Sequence, residues 1–238
     1  MKKYILILLM LMPVFCQAQY GNIWAFGFHN GLDFNNNPPT RFDTTAINAH
    51  QGSASVCDIN GQLLFYTDGG KVWNKQHQQM PNGYSMGFTV TALFDSITGD
   101  SIFYSADQAA IILPIENTTK FYVFTVDYFW GAVNNLKYHI IDVSADGGLG
   151  DVIVKNQILG IGFAEKLAAT RHCNGQDWWV VSRKKQGDEY FTYLVTPDSV
   201  NTTPVISHTN SLLTSNGCCG YTKISPNGKW LASGDESA

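Results

Sequence analysis

The stretch Trp178-Trp179-Val180-Val181-Ser182, preceded by the polar turn Cys173-Asn174-Gly175-Gln176, decides the fold class of this chain. β-Branched and aromatic residues favour strands, and Gly and Asn adopt the positive φ that tight hairpin turns need. A polar turn followed by such a run occurs three more times, with the runs at 63–67, 121–126 and 230–233. We therefore predict an all-β chain.

The turns recur at a nearly constant spacing. They centre near positions 61, 118, 175 and 228, so the period is roughly 53 to 57 residues. A fixed period of this size is typical of repeat architectures, and propeller blades use roughly 40 to 50 residues each. We place the strands of two complete units at 109–115, 121–127, 136–142 and 152–159, and at 166–172, 178–183, 190–196 and 204–208. The sequence thus predicts a β-propeller of four-stranded antiparallel blades.

Three segments fit this repeat less simply. Residues 164–169 have the composition of a helix, but we predict a strand there because the repeat outweighs local propensity. Residues 88–105 form an extra hairpin, either the outer half of the first unit or an insertion. Residues 221–225 and 230–233 form only the first hairpin of a fourth unit, and a strand at 22–28 could complete one blade. About three and a half blades are too few for a closed propeller, so we expect a longer protein.

The N-terminus has the pattern of a secretory signal peptide. Lys2 and Lys3 precede an apolar run at 4–15, which ends in Cys16-Gln17-Ala18. The run is shorter than the roughly 20 residues of a membrane span. We predict cleavage after Ala18, a propeller-like domain at 19–238, and an extracellular or outer-surface location. Lipidation of Cys16 is the alternative, and no other segment approaches a transmembrane span.

Composition excludes several classes of protein. Only 14% of residues are charged and 45% are hydrophobic, which excludes a disordered chain. The 15 basic and 19 acidic residues give a net charge of −4, so no nucleic-acid partner is predicted. Export permits disulfides, but the sequence leaves open the state of the remaining cysteines, which are Cys57, Cys173, Cys218 and Cys219.

Four charged residues are candidates for a ligand-binding rim. Asp68, Asp127 and Arg183 fall at equivalent ends of the second strand in successive units, where they would share one face of a propeller. Glu165 joins Asp68 and Asp127 as a carboxylate to examine if the protein is an enzyme. The alternative is that the acidic residues close turns by accepting hydrogen bonds from backbone amides.

Other motifs have simpler explanations. The Gly-x-Ser-x-Gly motif at 83–87 lacks the strand and helix of a nucleophile elbow. The Gly-rich segment at 147–151 resembles a calcium-binding repeat but occurs once, so we predict a loop. Most aromatic residues fall inside strand runs and are predicted to be core, with Trp24, Trp73 and Trp130 as possible carbohydrate-contacting exceptions. We predict no catalytic residue, no metal and no cofactor.

The sequence resembles the N-terminal propeller region of secreted Bacteroidetes proteins of the gliding-motility-associated, type IX secretion class. The motifs that carry the resemblance span nearly all of 21–238: Asn22-Ile23-Trp24-Ala25-Phe26-Gly27, Gly31-Leu32-Asp33-Phe34, Leu64-Phe65-Tyr66-Thr67-Asp68-Gly69, Val72-Trp73-Asn74, Met80-Pro81-Asn82-Gly83, Phe124-Thr125-Val126-Asp127, Gly147-Gly148-Leu149-Gly150-Asp151-Val152 and His172-Cys173-Asn174-Gly175. The hairpin Ser225-Pro226-Asn227-Gly228-Lys229-Trp230 is similar to the WD-like repeat of TolB-type propellers.

This resemblance implies cell-surface delivery through a C-terminal sorting domain, which these 238 residues do not contain. It supplies no catalytic residues. We expect a secreted or cell-surface propeller that acts as a binding or scaffold module, with an unknown protein or glycan as partner. The alternative is an extracellular hydrolase or lyase that acts on polysaccharide.

Overall fold

The computed structural model describes residues 20–87, 93–94, 101–102, 106–128, 133–213 and 219–234. These residues form eighteen strands and one helical turn, α1 (Ala145–Gly148), so the prediction of an all-β chain is confirmed. The predicted signal peptide and Trp130 lie outside the described residues.

The strands have the following bounds in chain order: β1 (Ile23–Phe26), β2 (Asn30–Asp33), β3 (Thr40–Phe42), β4 (Ala54–Cys57), β5 (Leu63–Thr67), β6 (Val72–Asn74), β7 (Leu93–Phe94), β8 (Ser101–Ile102), β9 (Ala110–Pro114), β10 (Lys120–Val126), β11 (Asn135–Asp142), β12 (Asp151–Ile161), β13 (Phe163–Arg171), β14 (Trp178–Lys184), β15 (Gly187–Val195), β16 (Val205–Leu213), β17 (Thr222–Ile224) and β18 (Leu231–Ser233).

Both predicted four-stranded units are present as antiparallel sheets. Strands β9 to β12 form one sheet in chain order, and β13 to β16 form the next. Strand β13 contains the segment with helix-forming composition, as the repeat predicts. Strands β17 and β18 pair as the expected final hairpin, and β7 pairs with β8 in the extra hairpin. The Gly-rich segment predicted as a loop lies between β11 and β12: Gly147 and Gly148 end the short turn α1, both at positive φ, and Asp151 begins β12.

Strand β10 shows how the sheets stack. Successive side chains of a strand point to opposite faces of its sheet. Tyr122, Phe124 and Val126 accordingly pack into a core shared with the β13–β16 sheet. Phe121 and Val123 pack into a second core, shared with the β4–β6 sheet. The sheet of β9 to β12 is therefore covered on both faces, which explains why β10 reads as an almost unbroken apolar run.

The same stacking extends toward the N-terminus. Strands β1 to β3 form a sheet of their own, and a third core lies between it and the β4–β6 sheet. The strand predicted at 22–28 as able to complete a blade is present as β1, and it pairs with β2 of its own sheet. Gly27 and His29, both at positive φ, close a short hairpin in which β1 pairs with β2. This local pairing closes a much shorter loop than pairing with a distant strand would.

Gly31 leaves room for an aromatic ring where β2 meets β3. A Cβ atom on Gly31 would lie 2.1 Å from Cζ of Phe42, whose ring covers that position. The ring of Phe42 therefore packs directly on the backbone of Gly31 in the neighbouring strand. Four sheets and the final hairpin thus follow one another in chain order, with a core between each pair among the first four.

Candidate functional site

The first strands of the stacked sheets lie side by side. Strand β1 contacts β4, β4 contacts β9, β9 contacts β13, and β13 contacts β17. Together these strands and the segments that lead into them line a groove of about 950 Å³, which we call the inner-strand groove. Ligand sites commonly occupy concave surfaces of about 300–1,000 Å³ that combine apolar walls with a few polar groups. The groove is therefore the first place to look for a binding site.

The side chain of Gln108 joins three of the groove-lining segments. Its Oε1 accepts hydrogen bonds from the backbone N–H groups of Thr222 (2.6 Å) and Leu167 (3.3 Å). Its Nε2 donates to the carbonyl oxygen of Thr222 at 3.0 Å. The amide thus pairs with Thr222 as a neighbouring strand would, and it connects the start of β9 with β13 and β17. A side chain that bonds three backbone groups fixes the relative positions of these strands.

The segments that lead into β4 and β9 also meet at close range. The backbone N–H of Gly52 donates to the carbonyl oxygen of Ala106 at 3.1 Å. A Cβ atom on Gly52 would lie 2.5 Å from that oxygen and from the nitrogen of Ala109, so no larger residue fits without a shift. This contact fixes the floor of the inner-strand groove between the second and third sheets.

Aromatic side chains stand on the walls of the groove. Trp24 is 51% exposed and Tyr221 is 57% exposed, although both are large rings that cores usually absorb. Tyr20, Phe26 and Trp178 also line it. Trp24, singled out from the sequence, therefore lies at the groove. Trp73, the second exception, is instead buried in the core beside the first sheet, with its ring stacked on Tyr66.

The predicted rim residue Asp68 closes a turn. It directly follows β5, and its Oδ1 accepts hydrogen bonds from the backbone N–H groups of Gly70 (2.8 Å) and Lys71 (2.7 Å). Burial raises the pKa of Asp68, while these hydrogen bonds oppose that rise. This geometry matches the alternative that such acidic residues end strands by binding turn amides.

Asp127 has the equivalent place after β10. Its Oδ2 accepts from the backbone N–H and the side-chain amide of Asn135, at 3.0 and 2.7 Å. Its Oδ1 accepts from Nζ of Lys137 at 2.8 Å, in an ion pair that is largely buried. Both oxygens therefore hold the β10–β11 hairpin together.

Arg183 and Glu165, the other two predicted residues, are also buried. Arg183 lies near the end of β14 and donates to the carbonyl oxygens of Gly187 (3.4 Å) and Ser211, which ties together three strands of its own sheet. Glu165 lies in β13, and its Oε2 accepts from the backbone N–H of Asp107 at 2.8 Å. Of the four predicted residues, Glu165 makes a contact with a segment that lines the inner-strand groove.

That contact belongs to a cluster that sequence reasoning missed. Within the described residues, Asp107, Glu165 and Cys219 each place one oxygen or sulfur atom within 4.8 Å of the others. This spacing would allow the three side chains to ligate one metal ion. The carboxylates also serve the fold, since Oδ2 of Asp107 accepts from the N–H of Gly220 at 2.6 Å. The three residues are more than 50 positions apart in the sequence, and no local motif marks them. Their proximity follows from the packing of three successive units.

Two weaker motifs also have structural roles. Asp151, at the end of the Gly-rich segment, accepts hydrogen bonds from the backbone N–H and side-chain amide of Asn82, at 2.8 and 2.7 Å. Ser85, the central residue of the Gly-x-Ser-x-Gly motif, has a positive φ, and its carbonyl oxygen accepts from the side chain of Asn156. Both motifs thus dock the loop after β6 onto β12.

Comparison with protein-family models, curated proteins and solved structures finds no match to this chain. Within the described residues, no helix has both the length and the apolar character needed to cross a membrane.

Proposed function

We propose that this chain is an exported β-propeller module that binds a ligand in the inner-strand groove. The stacked sheets correspond to blades, and the strands that line the groove correspond to the innermost strands around a propeller axis. The alternation of β10 between two cores supports this proposal most directly, because blades of a propeller pack face to face in chain order. The resemblance to secreted propellers supports the same assignment.

The shape and chemistry of the groove favour a binding role. It is open and lined by strands of five successive units, so its walls are held by the sheets themselves rather than by long loops. The links made by Gln108 and Gly52 hold neighbouring strands in place. A pre-formed site of this kind loses little conformational entropy when a ligand binds. The ligand is a protein or a glycan.

Export can be tested with the natural N-terminus. The chain expressed in a Gram-negative host should reach the periplasm or medium, because residues 1–18 have the pattern of a cleaved signal. Its mass, measured by mass spectrometry, should be that of a chain that begins at Gln19. A protein that stays inside the cell and retains residues 1–18 would contradict the export part of the proposal.

Binding can be tested by filling the groove. Ser53 lines the groove, so the indole of Ser53→Trp would occupy it. Thr202→Trp is the control, because it places the same side chain on an exposed turn that does not line the groove. A panel of soluble glycans and peptides is screened for compounds that raise the Tm of the wild-type protein. Such compounds should also stabilise Thr202→Trp but not Ser53→Trp. Equal stabilisation of both variants, or no stabilising compound in the panel, contradicts binding in the groove.

One observation favours the alternative of a hydrolase or lyase that acts on polysaccharide. The carboxylate of Asp107, which lines the aromatic-lined groove, lies within 4.8 Å of the buried carboxylate of Glu165. Retaining glycosidases place two carboxyl groups about 5–5.5 Å apart. If this pair is catalytic, Glu165→Gln should abolish the release of reducing ends from a polysaccharide substrate while the variant still folds. Activity that survives this substitution excludes the pair.

A further inference from the structure

The face of the β13–β16 sheet that points away from the β9–β12 sheet is incompletely covered. Val180, Tyr193 and Val195 point into the core shared with the β9–β12 sheet. Because side chains alternate along a strand, Trp179 and Val181 point to the opposite face. The hairpin of β17 and β18 lies on that side, and it is a sheet of two strands where each of the two preceding sheets has four. Two strands leave part of a four-stranded face open.

An apolar slot of about 320 Å³, which we call the outer slot, lies between this face and the hairpin. The sheet contributes Trp179 and Val205, and the hairpin contributes Trp230 and Leu231. Val205 is 58% exposed and Trp230 is 76% exposed, and contiguous apolar surface of this kind marks interaction sites. Among the described residues, Lys229 is the only charged one that lines the slot. An occupant therefore meets apolar surface along most of its length.

The second edge of β18 presents backbone groups beside the outer slot. The backbone N–H of Gly234 donates to the carbonyl oxygen of Tyr221 at 2.9 Å, which makes these residues a bonded pair. Bonded and non-bonded pairs alternate in an antiparallel ladder, so Ser233, opposite Thr222, directs its N–H and C=O away from β17. The same alternation directs those of Leu231 outward. Among the described strands, none pairs with this edge, and an unpaired edge is a template for a further strand.

The preceding interface shows what a third strand contributes. Strand β15 is the third strand of its sheet, and it directs Phe191, Tyr193 and Val195 toward the β9–β12 sheet. A strand that pairs with the open edge of β18 would be the third strand of the last sheet, and it would continue the stacking over the outer part of the β13–β16 face. The corresponding occupant is an extended strand with large apolar side chains at every second position.

A second copy of the chain does not fit this place. Antiparallel neighbours in a sheet are related by a twofold axis perpendicular to the sheet, so pairing two β18 edges would put both β13–β16 sheets on the same side of the joined hairpins. Each sheet extends beneath the place of the other copy's hairpin, so the two would collide. Parallel pairing would turn the opposite face of the hairpin, which carries the exposed Lys223, into the apolar slot, and burial of that charge is costly.

We propose that the outer slot and the open edge of β18 form a docking site for an extended strand of a second polypeptide. The backbone groups of Leu231 and Ser233 hold the strand by main-chain hydrogen bonds, and the slot between Val205 and Trp230 selects its alternate apolar side chains. The outer slot and the inner-strand groove have only Ile224 in common among their lining residues, so this docking site is additional to the proposed ligand site.

A strand from a complete unit serves as the probe. A fluorescein-labelled peptide with the sequence of β15 (Gly187–Val195) is titrated with the wild-type protein and followed by fluorescence anisotropy. The control peptide carries Thr192→Pro, which removes a backbone N–H from the middle of the strand and disfavours pairing. The unmodified peptide should bind about tenfold more tightly than the control or better. Absence of binding, or equal binding of both peptides, overturns the proposal.

Two protein variants locate the bound peptide. Val205→Asp places a charge under the docked strand and should weaken binding by about tenfold or more. Ile158→Asp is the matched control, because Ile158 is also 58% exposed but lies on β12 and does not line the slot. It should bind the peptide as the wild type does, and equal Tm values of the two variants show that lost affinity is not lost folding. Equal affinity of both variants contradicts docking in the slot.

Hydrogen exchange and sedimentation complete the test. The bound peptide should slow amide exchange at Leu231 and Ser233, whose N–H groups it occupies, and protection confined to other strands would contradict pairing with β18. Analytical ultracentrifugation of the wild type without peptide should show a monomer. A dimer that Val205→Asp dissociates and Ile158→Asp does not would make a second copy the occupant and overturn the proposal.

Discussion

Acidification should destabilise this protein through one buried histidine. His139 lies in β11 with its side chain fully buried. Its Nδ1 accepts a hydrogen bond from the backbone N–H of Asn156 at 3.1 Å, so the proton of the neutral ring is on Nε2, which donates to Oγ1 of Thr125 at 3.0 Å. A second proton, on Nδ1, would point at the backbone N–H of Asn156, so the charged ring would lose this hydrogen bond. Burial, reinforced by the positive charges of Lys137 and Lys155, lowers the pKa of His139 to about 3.

The sign and size of the effect follow from this pKa. The unfolded chain takes up the proton near pH 6.5, whereas the folded chain takes it up only near pH 3. The stability that depends on neutral His139 is therefore complete above pH 7 and is lost as the pH falls from about 6.5 toward 3. Between pH 7 and pH 5 the loss from His139 is about 2 kcal/mol.

Urea denaturation of the wild type and of His139→Gln at pH 7, 6 and 5 measures this contribution. Glutamine keeps polar atoms in the site but does not titrate, so the difference in unfolding free energy between the two proteins should fall by about 2 kcal/mol from pH 7 to pH 5. His208 is the control of opposite sign, because the hydrogen bond between its exposed side chain and Asp188 raises the pKa of His208. A wild-type advantage over His139→Gln that stays constant across this range would refute the reasoning.

Three further predictions concern hydrogen bonds of side chains to backbone. Gln108→Leu leaves three backbone groups unpaired and should lower the unfolding free energy by about 3 kcal/mol or more. The control Gln51→Leu, at a residue that also lines the groove, should change the unfolding free energy little. Equal urea midpoints of the two variants would contradict the role of Gln108 in joining the strands. Asp151→Ala removes two bonds to Asn82 and should cost about 1–2 kcal/mol, with faster proteolysis of the loop after β6 as a second readout. Asp68→Asn keeps the oxygen that closes its turn, so its Tm should stay within a few degrees of wild type, whereas Asp68→Ala should lower it clearly; equal losses would show that the charge itself matters.

The sequence predicts the individual strands because their causes are local. The turn at Gly175 and the run from Trp178 onward combine positive φ with β-branched and aromatic residues, and β14 begins where that pattern begins. Strand β13 would be read as a helix from composition alone, and only the spacing of the repeat predicts it correctly. The sheet of β1 to β3 was not predicted, because its strands are short and contain Asn, Gly and Asp.

The candidate site was harder to predict because it depends on distant contacts. Asp68 and Asp127 stand out in the sequence since each follows a strand, but this position gives them partners in their own turns. Asp107, by contrast, reaches Glu165 and Gly220 only after the β9–β12 sheet, the β13–β16 sheet and the β17–β18 hairpin have packed together. Trp24 could be named from its place near a strand edge, whereas the groove that it lines could not.

The stacking of sheets in chain order has a consequence for how the molecule can come apart. Each of the three cores is shared by two successive sheets, so each sheet gains most of its stability from the neighbours on either side. Such a molecule behaves as a one-dimensional array in which the interfaces, rather than a single centre, carry cooperativity. Pulled from its two ends in a force experiment, it should yield in steps of about one sheet, with the two-stranded β17–β18 unit released first.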